Sequence, residues 1–312
     1  FRPKRGCHDA LRRAQKIVDA GYRYVVDLDL ERFFDTVSHS KLIEILSHTI
    51  KDGRVVSLIH KYLRSGVMNR GLFETSTEGT PQGGPLSPLL SNIMLNELDK
   101  ELESRGHPFV RYADDALIFC KSKRAAQRVK ESITRFIEGQ LFLKVNREKT
   151  VVSYVQGVKF LGYSFYVMKG KCLLTVHPQS KSKMKFKLKE LTSRSNGWGY
   201  ECRKQKLRKY IRGWLGYYHL AQIKRLCLET DEWLRRRIRM CIWKSWKNPK
   251  TRVANLKKCG VLDWQAYQWG NTRLGYWRVA LSRLLTFAMS NDKLRRAGYA
   301  SLMDYYLEWY PK

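Results

Sequence analysis

The sequence predicts an α+β fold, in which an antiparallel sheet with helices on one face is followed by a mainly helical region. Short runs rich in Val, Ile, Phe and Tyr alternate with stretches of helical apolar spacing, in the order β-α-α-loop-α-β-β-α-β-β. After Pro178 the composition changes, because Lys and Arg accumulate and helical spacing dominates. At 312 residues the chain is long enough for two or three domains.

The spacing of apolar residues predicts where the helices and strands lie in the part of the chain before Pro178. The strand that ends at Asp29 carries Tyr22, Tyr24, Val26, Leu28 and Leu30 on one side, so we expect one buried face. The other elements follow from the same patterns: helices near 9–20, 40–50, 54–65, 87–106 and 122–138, a hairpin over 109–119, and strands near 151–154 and 158–167.

The segment after Pro178 is harder to assign. Lysines alternate with apolar residues over 181–189, the period of a strand, yet Met184, Leu188 and Leu191 also share a helical face. Two clearer helices follow. They carry the apolar positions Leu207, Ile211, Trp214 and Tyr218 in one, and Leu234, Ile238, Cys241 and Ile242 in the other, over 232–246. The polar face of the second helix holds Arg235, Arg236, Arg237 and Arg239, and such a face is usually solvated.

The charge balance points to a polyanionic partner. The net charge is +32, and residues 178–312 hold 31 of the 60 Lys and Arg but only 9 of the 28 Asp and Glu. With 12% aromatic residues, a nucleic acid is favoured over a membrane surface. No stretch is apolar enough to span a membrane, and no signal peptide is visible. Seven scattered cysteines without a Cys-x-x-Cys pair argue against a disulfide framework or a zinc ribbon, and favour a reducing cytosol.

The first candidate site is the pair Asp114-Asp115, which lies between two apolar runs. Asp tolerates turn geometry, so a hairpin tip alone could explain one of them. Two like charges at the edge of a core are costly, however, unless a cation satisfies them. Asp29, at the end of its strand, supplies a third carboxylate, and oxygen ligands suit magnesium or manganese.

A second candidate is the loop Gly79-Thr80-Pro81-Gln82-Gly83-Gly84-Pro85-Leu86-Ser87-Pro88. Glycine and proline before a helix can simply form a turn. Alternatively, the glycines let the backbone approach a phosphate at the helix N-terminus, where Ser87-Pro88 predicts a cap and a first-turn proline.

Together these motifs resemble a known family. Tyr112-Ala113-Asp114-Asp115, Asp29-x4-Phe34 and the loop 79–88 resemble the polymerase site of reverse transcriptases. Phe1-Arg2-Pro3, Ile211-Arg212-Gly213-Trp214 and Arg239-x3-Trp243-Lys244-x-Trp246-Lys247 resemble group II intron-encoded reverse transcriptase/maturases of the bacterial type. The chain begins at Phe1, so we expect a missing N-terminal segment, and we expect a member that lacks the endonuclease module.

The resemblance implies three regions: fingers (partial) and palm over 1–170, thumb/maturase (domain X) helices over 171–260, and the C-terminal part of the maturase region over 261–312. It favours the helix for 181–191. Phe160-Leu161-Gly162-Tyr163 resembles the hairpin that steadies the primer end, although a plain buried strand would also explain it. The resemblance also implies that Asp29, Asp114 and Asp115 are catalytic and hold two Mg²⁺, with Mn²⁺ a possible substitute.

The implied nucleotide-binding residues are Leu30, Phe34, Gln82, Gly83 and Lys149, with Phe34 excluding a 2′-hydroxyl and Lys149 near the departing pyrophosphate. The implied RNA-binding residues are Lys185, Lys187, Arg208, Lys209, Arg212, Arg235, Arg236 and Arg239.

The implied function is RNA-directed DNA synthesis, with binding of group II intron RNA to assist its splicing and retromobility in the bacterial cytosol or nucleoid. The implied partners are intron RNA, an RNA template with a DNA primer, dNTPs and target DNA. One alternative is a non-catalytic RNA-binding splicing cofactor, although such a protein could lose its carboxylates and this one retains three. Another is a reverse transcriptase of a different lineage, such as a defence-associated one, against which the basic C-terminal region argues.

Overall fold

The computed structural model describes residues 5–69, 72–74, 78–80 and 84–310. The chain divides into two compact units, Phe1–Leu173 and Leu174–Lys312. The first combines helices with antiparallel sheets and the second is mainly helical, so the predicted α+β fold class is confirmed. The predicted division near residue 260 stays a prediction.

The described part of the first unit contains six α-helices, one short 3-10 helix (Val155–Gly157) and eight strands. The helices are α1 (Cys7–Asp19), α2 (Phe33–Thr36), α3 (His39–Thr49), α4 (Gly53–Arg64), α5 (Ser87–Ser104) and α6 (Lys123–Gln140). The strands are β1 (Tyr24–Leu28), β2 (Val67–Asn69), β3 (Leu72–Glu74), β4 (Phe109–Tyr112), β5 (Asp115–Cys120), β6 (Val151–Tyr154), β7 (Lys159–Phe160) and β8 (Tyr163–Met168). A ninth strand, β9 (Lys171–Val176), contains the boundary between the units.

The central sheet has the strand order β4-β5-β1-β6, and its neighbours pair antiparallel. Val26 pairs with Ile118 and Leu28 with Ala116, so their side chains share one face. That face contributes to a core built with α3, α5 and α6. The prediction of a single buried face for β1 is wrong, because Val25 is also fully buried on the opposite side. The second face is buried as well, since Val25 pairs with Phe119 and both are shielded from solvent, which alternation with charged residues does not indicate.

Two smaller sheets complete this unit. In one, β2 pairs antiparallel with β3, and in the other the order is β7-β8-β9. The hairpin expected at 160–163 is confirmed, because a turn at Leu161-Gly162 divides the segment predicted as a strand over 158–167 into β7 and β8. Both turn residues have positive φ (49° and 78°), a conformation that closes a two-residue hairpin.

The second unit consists of nine helices within the residues described. They are α7 (Pro178–Leu191), α8 (Tyr200–Tyr218), α9 (Lys224–Ser245), α10 (Pro249–Lys258), α11 (Asp263–Gly270), α12 (Tyr276–Val279), α13 (Arg283–Ala288), α14 (Asn291–Arg296) and α15 (Leu302–Trp309). The lysine-rich segment is helical, with Met184, Leu188 and Leu191 buried as the helical interpretation predicted. Helix α9 is the most buried of the nine and packs against α7, α12 and α15. Among the described helices, each is too short or too polar to cross a membrane.

Candidate active site

The Asp-Asp pair lies at the end of the β4–β5 hairpin, as predicted. Tyr112 pairs with Asp115, which leaves Ala113 and Asp114 as a two-residue turn. Ala113 has a φ of 57°, a left-handed conformation that costs a non-glycine residue roughly 1 kcal/mol. Contacts from elsewhere must therefore hold this turn in place.

Arg111 provides these contacts. Its guanidinium donates from Nε to Asp99 Oδ1 at 2.7 Å and from Nη2 to Asp99 Oδ2 at 2.6 Å. Its third nitrogen, Nη1, donates to the carbonyl of Ala113 at 2.8 Å and to Asn92 Oδ1 at 3.2 Å. The side chains of Arg111 and Asp99 are only 5% and 10% exposed. The turn that carries Asp114 is thus attached to α5 through a buried, bidentate ion pair.

Asp29 follows directly after β1 and is fixed through its backbone. Its N–H donates to the Thr150 hydroxyl, which in turn donates to the Asp29 carbonyl, both at 3.2 Å. The Asn146 N–H also donates to that carbonyl, at 2.9 Å. Thr150 is fully buried, so this anchor is shielded from water. Lys149 places its ammonium 4.0 Å from Asp29 Oδ1, and the position near a departing pyrophosphate that the resemblance implies for it stays a prediction.

A fourth carboxylate, Asp27, belongs to the same electrostatic group. Burial, followed by the charges of Asp115 and Asp29, raises its pKa to about 6, against an opposing effect of Lys159. The pKa of Asp115 is also raised, first by loss of surrounding water and then by Asp114 and Asp29. The carboxylates are therefore close enough to disfavour each other's ionised forms.

This donor set fits a hard divalent cation. The groups are all carboxylates, and mutual repulsion is what a bound cation would relieve. Reverse transcriptases as a class use divalent metal ions in this way. Among the described residues, however, no group of three His, Cys, Asp or Glu side chains is arranged to hold a single ion. The grouping of Asp29, Asp114 and Asp115 around a metal stays a prediction.

The segment around Phe34 is joined to the start of the glycine-rich loop. The Thr80 N–H donates to the Phe34 carbonyl at 2.6 Å, and the Gly79 N–H donates to the Val37 carbonyl at 2.7 Å. The buried His39 donates from Nε2 to the Gly79 carbonyl at 2.6 Å. A Cβ on Gly79 would lie 2.8 Å from the Phe34 carbonyl oxygen, and its φ of +87° also favours glycine. Gly79 therefore permits a backbone approach that no other residue could make without a shift.

The other residues predicted to bind a nucleotide differ in how far they are buried, and two of them lie outside the described residues. Phe34 is half-buried and contacts Phe33 edge to face, with ring centroids 5.4 Å apart. The Leu30 side chain is buried in the core and pairs with Val145, so only its backbone could face a nucleotide. Gln82 and Gly83 lie outside the described residues, as does Phe1-Arg2-Pro3.

The predicted RNA-binding residues of α7 and α8 lie on the surface. The exposed ones are Lys185, Arg208, Lys209 and Arg212. Lys187 is half-buried and pairs with Glu190 at 2.9 Å. These side chains are available to a polyanion, and their role in RNA binding stays a prediction.

The charged outer face predicted for α9 is wrong for Arg235 and Arg239, which are only 4% and 7% exposed. Arg239 donates to the Met289 carbonyl at 2.9 Å, and Arg235 donates to the Tyr299 carbonyl at 3.4 Å. Arg236 is half-buried and donates to the Trp277 carbonyl at 2.9 Å. Backbone carbonyls that are shielded from water need donors, and these guanidinium groups supply them inside the unit. Helical periodicity could not reveal this, because the segments that cover the polar face come more than thirty residues later.

Sequence reasoning missed several residues that support the site. Asp27 shares alternation with Asp29, and this spacing was the available signal for a fourth carboxylate. Arg111 precedes the Asp-Asp pair, but its partner Asp99 reads as an ordinary helix-surface residue. Thr150 and His39 are distant in sequence from the groups that they hold, so no local pattern could find them.

Two protein-family models match this chain. Residues 1–165 match the family model described as reverse transcriptase (RNA-dependent DNA polymerase), and residues 181–260 match the group II intron, maturase-specific domain. Protein YkfC of Escherichia coli K12 is 34% identical over 52% of this chain and 53% of its own length. The group II intron-encoded protein LtrA of Lactococcus lactis is 30% identical over 54% of this chain and 39% of its own length.

The chain thus spans about half or less of these curated relatives. Among solved structures, apo telomerase from Candida tropicalis covers 96% of this chain, with 56% of its own length, a TM-score of 0.45 and 13% identity. The first family match extends over more than half of the chain, and the motifs around Asp29 and Asp114-Asp115 lie within it. The chain therefore belongs to the reverse transcriptase (RNA-dependent DNA polymerase) family and carries a group II intron maturase-specific domain.

Proposed function

We propose that this protein is an RNA-directed DNA polymerase that also binds group II intron RNA and assists its splicing and retromobility. The observation that carries the polymerase activity is the electrostatic group formed by Asp29, Asp114 and Asp115, with Asp27 beside them. The family membership and the maturase-specific match support the two activities together. Its partners would be intron RNA, an RNA template with a DNA primer, dNTPs and target DNA, in the bacterial cytosol.

The three catalytic carboxylates would hold two Mg²⁺ ions, or Mn²⁺ in their place. Bound there, the metal would supply charge neutralisation at the phosphates and a lower pKa for the primer hydroxyl. Arg111 and Thr150 keep the backbones of the turn and of Asp29 fixed, so that the carboxylates are prepositioned. Lys149 would place positive charge beside the departing pyrophosphate, as in other phosphoryl transfers.

Two further groups would select the nucleotide. The half-buried ring of Phe34 would lie against the sugar of the incoming nucleotide. The bonds of Gly79 and Thr80 to the Phe34 segment would fix where the loop leading to Gln82 and Gly83 begins. Sugar selection and the approach of the loop would thus depend on one connected piece of backbone.

Primer extension tests this proposal directly. In the full-length protein, Asp114→Asn and Asp29→Asn should each reduce extension at least about a hundredfold, while RNA binding persists. Glu138→Gln, which removes an exposed carboxylate paired with Arg147, is the matched control and should leave extension unchanged. A rate within about tenfold of wild type in both Asp variants corresponds to only about 1.4 kcal/mol of barrier and would remove the catalytic assignment. Splicing assistance by a wild type that extends no primer would favour the non-catalytic cofactor instead.

A further inference from the structure

The second unit contains a pocket that is lined by both aromatic and basic side chains. The pocket has a volume of about 640 Å³ and lies between the end of α7, the segment 193–196, α9 and α12. Such a volume is typical of a small-molecule or nucleotide site. Its main lining residues are Phe186, Lys189, Arg194, Asn196, Arg237 and Trp277.

Two aromatic rings line this pocket and are not buried in the hydrophobic core. Phe186 is 71% exposed, because α7 buries Met184 and Leu188 on its other face. Trp277 is 38% exposed, and one face of its indole ring is covered by another side chain. Arg236 covers that side at 3.8 Å from the ring centroid and donates two hydrogen bonds to the Trp277 carbonyl. The structure therefore presents two rings with exposed π surface in one cavity.

Positive charge converges on the same cavity. Lys189 and Arg194 are exposed, and neither forms an ion pair with a carboxylate of the described residues. Burial lowers the pKa of Arg237, and the nearby charge of Arg194 lowers it further. Glu190 is the acidic residue in the lining, and it is already paired with Lys187 at 2.9 Å. Three cations thus face one carboxylate that has its own partner, which favours an anionic ligand.

We propose that this pocket binds an unpaired nucleotide of an RNA strand, with the base stacked on Phe186 and Trp277 and the phosphate held by Arg194 and Lys189. The proposal rests on the proposed function, in which RNA is the partner. Stacked aromatic side chains with adjacent cations are the features by which proteins hold single-stranded nucleic acid. An apolar protein partner would use the rings but would leave the cations buried and uncompensated, which is costly.

The test compares two hairpin RNAs that differ at one position, with the full chain at fixed salt. One hairpin carries a single bulged 2-aminopurine, and in the other the same base is paired. The wild type should bind the bulged RNA more tightly, and stacking should quench the fluorescence of the bulged base. Phe186→Ala and Arg194→Gln should each reduce the preference for the bulge, by about tenfold for the lost ring. Trp277→Phe, which keeps an aromatic ring, should reduce it less than Trp277→Ala.

Phe287→Ala is the matched control, because Phe287 is 61% exposed and has a cation near its ring, Lys293 at 5.0 Å, but lies outside the pocket lining. It should keep both the preference and the quench. A wild type that does not distinguish the two hairpins, or a Phe186→Ala variant that behaves as wild type, overturns the pocket. Equal losses in Phe186→Ala and Phe287→Ala also overturn it, since any exposed ring would then suffice. Primer extension in Phe186→Ala should remain at the wild-type rate, so failure of this proposal is distinct from failure of the polymerase assignment.

Discussion

Arg111 and Asp99 form a buried ion pair directly behind the turn that carries Asp114. Two guanidinium nitrogens meet two carboxylate oxygens at 2.6 and 2.7 Å, and the remaining nitrogen donates to the carbonyl of Ala113. The strained backbone of Ala113 is therefore held by a side chain that is itself held by α5. The position of Asp114 thus depends on a helix that begins at Ser87, at the end of the glycine-rich loop.

Breaking this pair should affect both stability and catalysis. Asp99→Asn leaves a buried guanidinium without its anion, a change that typically costs about 3–5 kcal/mol of unfolding free energy. Because the turn also loses its anchor, we expect slower primer extension and a higher Mg²⁺ concentration for half-maximal rate. Denaturant unfolding and a magnesium titration, both at a temperature where the variant is folded, measure the two effects.

The exposed pair of Arg147 with Glu138 provides the comparison for this prediction. Its closest atoms are 3.0 Å apart, yet the Arg147 side chain is 77% exposed, so Glu138→Gln should change stability by less than about 1 kcal/mol. If Asp99→Asn has equally small effects on stability and magnesium dependence, the Arg111–Asp99 pair does not hold the turn.

Asp27 predicts a pH dependence of stability in the metal-free protein. Its pKa of about 6 in the folded chain lies above the ordinary value of 3.8, so the folded state binds more protons between these values. Stability should therefore fall as the pH rises through this window, and a residual penalty should persist above it. Asp27→Asn removes the buried charge and should stabilise the protein at pH 7 by about 1–2 kcal/mol, after allowance for partial exposure.

Unfolding curves in EDTA at pH 3.5, 5 and 7 test whether the stability falls as the pH rises. The difference between wild type and Asp27→Asn should be smallest at pH 3.5, where Asp27 is mostly protonated in both states. Added Mg²⁺ should stabilise the wild type more than it stabilises the variant if the cation relieves repulsion within the group. A wild type that is less stable than the variant to the same extent at all three pH values would contradict the assignment to Asp27.

The sequence could predict the position of the proposed catalytic carboxylates but not the groups that support them. Asp29, Asp114 and Asp115 lie at the ends of strands whose alternation is visible locally, so their convergence follows from pairing β1 with β5. Thr150 is 121 residues from Asp29 in sequence, and His39 is 40 residues from Gly79. Such contacts depend on tertiary packing, which periodicity does not encode. For the same reason, helical spacing described the charge of α9 correctly but not the burial of Arg235 and Arg239.

The arginines of α9 should behave as structural residues. Arg239→Gln removes the donor to the Met289 carbonyl and leaves that carbonyl and Asn291 without their partner. We expect a loss of about 1–3 kcal/mol in unfolding free energy, the cost of unsatisfied buried polar groups. RNA affinity measured under folded conditions should keep its wild-type salt dependence, because a buried guanidinium contacts no phosphate.

The exposed cations of α7 and α8 should give the opposite result. Replacing Lys185, Arg208 and Lys209 with Gln should leave stability near that of wild type, since these side chains are solvated. The slope of log affinity against log salt should become shallower by roughly 0.7–0.9 for each phosphate contact that is lost. A flattened slope in Arg239→Gln, with no change in the triple variant, would reverse the roles assigned to the two sets.

The last prediction concerns Phe34 and the choice of sugar. The residue follows Asp29 by five positions, is half-buried, and has a backbone carbonyl fixed by Thr80. If its ring occupies the space of a ribose 2′-hydroxyl, discrimination against ribonucleotides comes from steric exclusion. Phe34→Val should then raise the kcat/KM for ribonucleotide insertion relative to the matched deoxyribonucleotide. Single-nucleotide insertion with one primer-template and both nucleotides measures the ratio.

Phe33 separates this steric effect from a general loosening of the site. It is the adjacent residue, its ring touches that of Phe34, and it is only 3% exposed within the core. Phe33→Val should therefore cost more stability than Phe34→Val, on the order of 1–3 kcal/mol, because it leaves a cavity in packed surroundings. It should nevertheless keep the wild-type sugar ratio, since the core ring does not face the nucleotide. If both variants change the ratio equally, sugar selection depends on the integrity of the core and Phe34 does not exclude the hydroxyl itself.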